Sequence, residues 1–213
     1  MKVPSFDDKR LAEFIGIMLG DGSIGIYNCK NKNRISIQHR IKITLNSKDD
    51  LNYSFYIEQL VESLFGIKII RRFRSNENTL DILSFNKEFL RFLTNKIGLI
   101  ISPKWDRATV PSFCLKDSMD LEILKGYFDT DGCISIVNNN GTKYPRIEMK
   151  VCPSPMQNQF LEILKKYDFK FGAYNIGKGK VRIQLNGIQE LKKWSALIGF
   201  SNRKNIEKAE RFL

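Results

Sequence analysis

Apolar and polar residues along the first part of the chain follow helix and strand periods in turn. Residues 8–20 are mostly apolar, with Ser5 and two aspartates as start signals, and predict a helix. An Asp-Gly pair ends this helix, and residues 23–28 then alternate like a strand. Residues 34–46 alternate more strictly, with a basic polar face and an apolar face. The apolar face consists of Ile35, Ile37, His39, Ile41 and Ile43. This pattern predicts a half-buried strand.

The same order of helices and strands is predicted in both halves of the chain. In the first half, residues 49–65 predict a helix, 68–75 and 78–85 a hairpin, and 86–97 another helix. The second half predicts a helix at 119–130, strands at 133–139 and 144–152, a helix at 155–167, strands at 170–175 and 180–186, and a helix at 187–198. The chain is therefore expected to be an α+β protein with two αββαββα repeats.

Direct alignment of the two halves supports this duplication. FIGIMLGDGSIGIYN, which starts at Phe14, aligns without gaps with LKGYFDTDGCISIVN, which starts at Leu124. The alignment pairs Gly16 with Gly126 and Asp21 with Asp131. We therefore divide the chain into a first repeat (1–106), a linker (107–119) and a second repeat (120–213).

The two motif aspartates are unusual for their position. Each follows an apolar helix, where the helix dipole disfavours a carboxylate by ~0.3–1 kcal/mol unless a cation compensates. Gly16 and Gly20 are spaced by four, and Gly126 and Thr130 repeat this spacing, so two helices could approach closely along one seam. Such pairing brings the two aspartates together, and adjacent carboxylates favour a shared proton or a divalent metal. Oxygen ligands of this kind suit Mg²⁺.

Composition narrows the class of protein. The chain has 213 residues, 42% of them hydrophobic, and a formal net charge of +12. This excludes a disordered or fibrous chain and favours a polyanionic partner, either nucleic acid or an anionic membrane face. No apolar run approaches the ~20 residues of a membrane helix. Four scattered cysteines and one histidine offer little for a zinc site, and reduced thiols in an intracellular protein are expected.

The two motifs resemble those of the LAGLIDADG homing endonucleases. FIGIMLGDG, starting at Phe14, and LKGYFDTDG, starting at Leu124, are the two signature segments, and the resemblance extends over nearly the whole chain. It implies that each repeat forms a four-stranded antiparallel sheet backed by helices, and that the two sheets form a DNA-binding saddle. It also implies Mg²⁺-dependent double-strand cleavage at a long site. The first motif departs from the family pattern at Leu19. The second motif has an acid, Asp129, at the equivalent position.

The resemblance also implies particular roles. Asp21 and Asp131 correspond to the catalytic, metal-binding acids, with Mn²⁺ expected to substitute for Mg²⁺. Lys104 and Lys204 match basic residues that polarise the attacking water or stabilise charge on the phosphate. The backbone carbonyls of Gly20 and Thr130 are candidate further metal ligands, because the last carbonyls of a helix lack intrahelical partners.

The basic faces of the predicted strands are the expected DNA-binding surface. Their side chains are of the types that read base edges or hold phosphates. The candidates are Arg34, Ser36, Gln38, Arg40, Lys42, Arg71, Arg72, Arg74, Arg146, Lys150, Lys178, Lys180, Arg182 and Gln184. Double-stranded DNA is therefore the expected partner, with no membrane and no required protein partner.

The resulting hypothesis is a monomeric, intron-encoded endonuclease that leaves short 3′ overhangs, because the two scissile phosphates lie closest across the minor groove. A homodimer is not expected, since the two repeats already supply the pseudo-twofold axis. An RNA-binding maturase that aids intron splicing is one alternative. A cleavage-inactive DNA-binding protein on the same fold is another.

Overall fold

The first repeat follows the predicted order of helices and strands. The computed structural model describes residues 1–31 and 34–213, and the side chains of Asn31 and Arg34 lie outside the described residues. The elements of this repeat are α1 (Lys9–Leu19), β1 (Gly22–Asn31), β2 (Arg34–Asn46), α2 (Leu51–Phe65), β3 (Ile70–Phe73), β4 (Thr79–Ser84) and α3 (Lys87–Arg91), which continues as a π-helical turn at Phe92–Lys96. The Asp8 side chain caps α1 by accepting a hydrogen bond from the backbone N–H of Arg10 at 2.9 Å.

The second repeat has the same order and one additional helix. A 3₁₀ turn at Ser112–Leu115 precedes it. Its elements are α4 (Met119–Asp131), β5 (Gly132–Asn139), β6 (Thr142–Val151), α5 (Met156–Lys166), β7 (Phe171–Asn175), β8 (Val181–Asn186), α6 (Ile188–Leu197) and α7 (Arg203–Glu210). The sequence pattern did not predict α7, which is short and strongly polar.

Each repeat builds one antiparallel sheet. The strand orders are β1-β2-β4-β3 and β5-β6-β8-β7, so the same topology occurs twice. The predicted α+β fold with two αββαββα repeats, each with a four-stranded antiparallel sheet backed by helices, is confirmed.

The α1 and α4 helices pack against each other at the junction of the two repeats. A Cβ atom on Gly16 would collide with the backbone carbonyl of Ile123, and one on Gly126 would collide with that of Glu13. A Cβ on Gly20 would collide with the Thr130 hydroxyl. Glycine is therefore required where the two backbones approach most closely, because any larger residue would push the helices apart.

Helices cover only the inner half of the long strand β2. Ile41 and Ile43 are buried in the core, but Ile35 and Ile37 are 71% and 62% exposed. The expectation that all of these isoleucines lie on a half-buried face is therefore wrong for the outer two. They face Lys30 and Asn28 of β1 in a hairpin that extends beyond the core.

None of the helices in the described parts of the chain is long and apolar enough to cross a membrane. All four cysteines are free thiols.

Candidate active site and nucleic-acid interface

Asp21 and Asp131 lie at the matching ends of the two central helices. Asp131 is the last residue of α4, and Asp21 follows the end of α1 by two residues. A Cβ placed on Gly20 would lie 3.4 Å from Oδ2 of Asp131, so this carboxylate reaches the end of the opposite helix. The glycine seam thus brings the two motif ends together, and both carboxylates retain access to solvent.

The surroundings of the two carboxyls disfavour their charged forms. Burial raises the pKa of Asp21 to about 7, and the neighbouring charge of Asp131 adds to this effect, against the opposing charge of Lys104. Burial likewise raises the pKa of Asp131, and Lys104 again opposes the shift. Two carboxyls with raised pKa values, close together and partly accessible to solvent, form a site where a bound cation would be stabilised.

Lys104 supplies the cation that the end of α1 requires. Its Nζ donates to the backbone carbonyls of Met18 at 2.9 Å, Leu19 at 2.6 Å and Gly22 at 2.9 Å, and it also contacts the carbonyl of Gly20. The ammonium therefore caps carbonyls that have no partner within the helix. Burial lowers the pKa of Lys104 to about 8, although Asp131 and Asp21 act in the opposite direction.

Lys204 is held differently. Its Nζ donates to Oδ1 of Asp50 at 2.7 Å, and Asp50 precedes α2 in the other repeat. The same oxygen accepts a hydrogen bond from the side-chain amide of Asn202 at 2.8 Å. Asp50 and Asn202 are both buried. This pairing fixes one lysine of the site through a carboxylate that lies 154 positions away in the chain.

Asp129, the additional acid of the second motif, stabilises the start of α7. Its Oδ2 accepts from the backbone N–H groups of Ser201 at 2.6 Å and Asn202 at 3.0 Å. Its Oδ1 accepts from the side chain of Asn205 at 2.8 Å. Burial raises the pKa of Asp129 to about 6, and these hydrogen bonds act against the shift. The residue is 1% exposed, which suits a structural role.

The donor set at the motif ends fits a divalent metal that keeps part of its water shell. Within residues 1–31 and 34–213, no three His, Cys, Asp or Glu side chains gather in a group that could hold a metal. Two carboxylates, with water and a substrate phosphate, match the way Mg²⁺ is usually bound in phosphate-processing sites. The Gly20 carbonyl is already contacted by Lys104. The Thr130 side chain is turned into its own helix, where its hydroxyl donates to the carbonyl of Tyr127 at 2.9 Å.

The polar face of the first sheet holds many of the predicted DNA-binding residues. Register places Ser36, Gln38, Arg40 and Lys42 on one face of β2, opposite the core face of Ile41 and Ile43. Nη2 of Arg40 donates to the hydroxyl of Tyr27 at 2.7 Å, and its guanidinium lies over the ring. Arg34 begins β2, but its side chain is outside the described residues.

The two arginines at the start of β3 point to opposite faces of the first sheet. Arg72 and Arg74 both donate to Asp81 of β4 on the polar face. Arg71 lies on the helix side, where its guanidinium sits 3.9 Å from the ring centre of Phe55 and pairs with Glu58 of α2 at 3.3 Å. Arg71 therefore does not share the surface of Arg72.

The second sheet presents a comparable polar face. Arg146, Lys150, Arg182 and Gln184 lie on it together with Glu148. Glu148 accepts from the side chains of Ser135 at 3.0 Å and Gln184 at 3.1 Å. Lys178 is exposed in the turn between β7 and β8, and Nζ of Lys180 lies 4.8 Å from the ring centre of Trp105.

Three residues of these surfaces were not found by sequence reasoning: Asp50, Asp81 and Asn202. Asp81 falls on the polar face of a strand, a signal that the alternation of residues 78–85 already contained. Asp50 and Asn202 carry no such signal, because their contact joins the two repeats.

The fold is similar to those of several proteins of known structure. I-SmaMI bound to uncleaved DNA in the presence of calcium ions has 11% sequence identity and a TM-score of 0.64, over 92% of this chain and 87% of that one. The chain has the fold of the single-chain LAGLIDADG homing endonucleases. I-DmoI in complex with DNA and Mn has 14% identity and a TM-score of 0.60, over 90% and 96% of the two chains.

A third neighbour has the same fold. The I-LtrWI LAGLIDADG homing endonuclease bound to target DNA has 12% identity and a TM-score of 0.63, over 96% of this chain and 88% of that one. No protein-family model and no curated protein sequence matches the chain. At these identities the likeness establishes the fold, and the chemistry has to be argued from the residues of this chain.

Proposed function

We propose that this protein is an intron-encoded homing endonuclease that makes metal-dependent double-strand breaks with short 3′ overhangs. The observation that supports this most directly is the pair of carboxylates, Asp21 and Asp131, at the junction of the two repeats. Each has a raised pKa, and a buried lysine lies beside them. Two acids at one pseudo-twofold junction suit two scissile phosphates that lie close together, as they do across the minor groove.

The substrate follows from the two sheets. Their polar faces present Arg, Lys and Gln side chains, which hold phosphates and read base edges in the major groove. The net charge of +12 favours binding to a polyanion. Because the two faces differ in sequence, we expect the DNA site to be long and asymmetric. The structural neighbours I-SmaMI, I-DmoI and I-LtrWI were each solved with DNA.

The catalytic roles proposed for these residues follow from where their side chains lie at the junction of the two repeats. Asp21 and Asp131 would hold Mg²⁺, or Mn²⁺ in its place, together with water and the backbone carbonyl of Thr130, since Lys104 already contacts the carbonyl of Gly20. A bound divalent ion supplies an activated water and stabilises the oxygen that leaves the phosphate. Lys104 and Lys204 stabilise negative charge beside the two carboxylates, and each is held in place by hydrogen bonds of its own. Asp129 acts only through the fold, because its oxygens are already occupied.

The test is cleavage of a random-site DNA library in Mg²⁺ by the wild type and by two variants, Asp21→Asn and Asp131→Asn. We expect the wild type to cut both strands at one long sequence, and each variant to lose about 10³-fold or more in rate. Asp7→Asn is the matched control, because Asp7 is an exposed acid outside the site. It should cut like the wild type.

Other outcomes separate the alternatives. DNA binding without cleavage in Mg²⁺ or Mn²⁺ would contradict the two-acid mechanism and favour a cleavage-inactive DNA-binding protein. Binding to intron RNA in preference to DNA would favour a maturase.

A further inference from the structure

Asp81 is a fully buried acid on the polar face of the first sheet. Its side chain has no exposed surface. Arg74 donates to both of its oxygens, from Nε at 2.9 Å and from Nη2 at 2.8 Å. Arg72 donates from Nη2 at 3.2 Å, and Thr44 donates from its hydroxyl at 3.1 Å. A buried carboxylate with this many donors fixes the side chains around it, because losing any donor would leave charge unsatisfied.

The strand register explains why these groups meet. Thr44 of β2 and Arg72 of β3 both lie directly opposite Asp81 of β4, so the three form one row across the sheet. Lys42 lies nearby on the same face, with Nζ 4.0 Å from Asp81. Burial alone would raise the pKa of Asp81, but the hydrogen bonds from the arginines and Thr44 lower it to about 2. The carboxylate therefore stays charged and holds the row together.

Arg74 and Arg72 differ in how many of their guanidinium nitrogens already form hydrogen bonds. Arg74 uses Nε and Nη2 on Asp81 and Nη1 on Glu77 at 3.3 Å, so all three of its nitrogens are engaged. Among the described residues, Arg72 bonds only through Nη2, and its side chain is 59% exposed. Its remaining N–H groups can form a bidentate contact, and guanine O6 and N7 form the acceptor pair that arginine matches best.

The second sheet reverses the charges at the equivalent positions. By strand register, Lys42 and Asp81 of the first sheet correspond to Glu148 and Arg182 of the second. The ion pair is present in both sheets, at 4.0 Å in the first and 3.8 Å in the second, but the acid and the base have exchanged strands. The residue equivalent to Arg72 is Tyr174. The first sheet therefore places an exposed arginine, Arg72, on a fully buried acid, whereas the equivalent positions of the second sheet place Tyr174 opposite Arg182.

We propose that Asp81 is a specificity-determining residue that holds Arg72 in the orientation from which it reads a guanine in the half of the DNA site covered by the first sheet. This inference rests on the proposed DNA-binding function. Asp81 acts through Arg72 and does not itself touch the base. Arg74 completes the support, and each of its three nitrogens already donates one hydrogen bond to Asp81 or Glu77.

The test is selection of bound sequences from a random DNA library in Ca²⁺, under which I-SmaMI was solved on uncleaved DNA. We expect the wild type to select guanine at a position in one half-site. Asp81→Asn should reduce that preference by about tenfold or more, because an amide holds a guanidinium less tightly than a carboxylate does. Other positions of the site should keep their preferences.

Two further variants are needed to interpret the result for Asp81→Asn. Arg72→Lys preserves the charge and the buried acid but removes the bidentate fork, so it should lose the guanine preference while binding DNA with similar overall affinity. Glu77→Gln is the matched control, because Glu77 is an exposed acid that contacts only Arg74 among these arginines. It should keep the preference. Melting temperatures of all variants show whether Asp81→Asn still folds.

The experiment distinguishes failure of the proposed DNA-binding function from failure of the proposed role of Asp81. If no sequence is enriched by the wild type, the proposed function fails and the role of Asp81 with it. If the wild type binds a defined site but Arg72→Lys keeps every base preference, only the role of Asp81 and Arg72 is overturned. Equal loss in Glu77→Gln would overturn it as well, since it would show a general effect of acid removal.

Discussion

The two repeats end their central helices differently, although each helix leads to a motif aspartate. At the end of α1, Lys104 donates to a cluster of backbone carbonyls of its own repeat. At the end of α4, the neutral amide of Asn202 donates to the carbonyl of Asp129 at 3.1 Å, and Lys204 pairs with Asp50 across the repeats. Leu19 occupies the position equivalent to Asp129.

This difference shows how duplicated units diverge. The glycine seam is alike in both helices, because close backbone approach admits few alternatives. Stabilisation of a helix end can be achieved by a cation, an amide or a carboxylate network, so these positions were free to change. As a result, Lys104 is held by groups of its own repeat, whereas Lys204 is held through Asp50 of the other repeat.

The largest expected effect comes from making the second repeat resemble the first. Asp129→Leu should lower the free energy of unfolding by about 3–5 kcal/mol, because it leaves the N–H groups of Ser201 and Asn202 and the amide of Asn205 without their acceptor. Urea unfolding monitored by circular dichroism measures this change.

The reciprocal change is the matched test. Leu19→Asp places an acid at the equivalent buried position, and it should also destabilise the protein because burial disfavours the charged carboxylate. A loss of less than about 1 kcal/mol in Asp129→Leu would contradict the assigned role of this network.

The second prediction uses the low pKa of Lys104 in the protein without metal. This pKa is about 8 in the folded protein, against an ordinary lysine value of 10.5 that applies to the unfolded chain. Between these values the unfolded chain binds more protons, so stability should rise with pH over this interval, by up to about 3 kcal/mol. Below pH 8 the folded protein bears the full cost of the buried ammonium. Thermal melting in EDTA from pH 7 to 10.5 follows this change.

Comparison of the two lysine variants isolates this contribution. Lys104→Met should lack the additional rise in stability that the wild type shows above pH 8. Lys204→Met should retain it, because Lys104 is still present. The same pH profile in the wild type and Lys104→Met would show that Lys104 is not the group responsible.

The smallest effect concerns the dependence of Lys204 on the other repeat. Asp50→Asn should slow cleavage of one DNA strand by about tenfold and leave the other strand nearly unchanged, because Asp50 contacts Lys204 and not Lys104. Strand-specific end labels measure the two rates. Lys204→Met should slow the same strand, and Lys104→Met the other.

The control for this experiment is Asp49→Asn, since Asp49 is an exposed neighbour of Asp50. Equal slowing of both strands by Asp50→Asn would indicate a general effect on the fold and contradict the specific pairing with Lys204.

The sequence by itself determined the order of helices and strands, the duplication, the matched ends of the two motif helices and most of the polar sheet faces. These properties are local: a helix or strand reveals its exposed face through a period of 3.6 or 2 residues. The glycines at 16 and 126 also indicated a close helix seam, because only small residues tolerate such an approach. The boundaries of the α and β elements followed with small differences.

Only the tertiary structure decided which groups meet across the repeats. Asp50 and Lys204 are 154 positions apart, and no period links them. The face of Arg71 depended on the register of β3 against β4, since alternation is interrupted by two adjacent arginines. The start of α7 is held by Asp129 of α4, a contact that the local sequence pattern of α7 does not reveal. Each of these contacts depends on packing between distant segments, which local propensity does not encode.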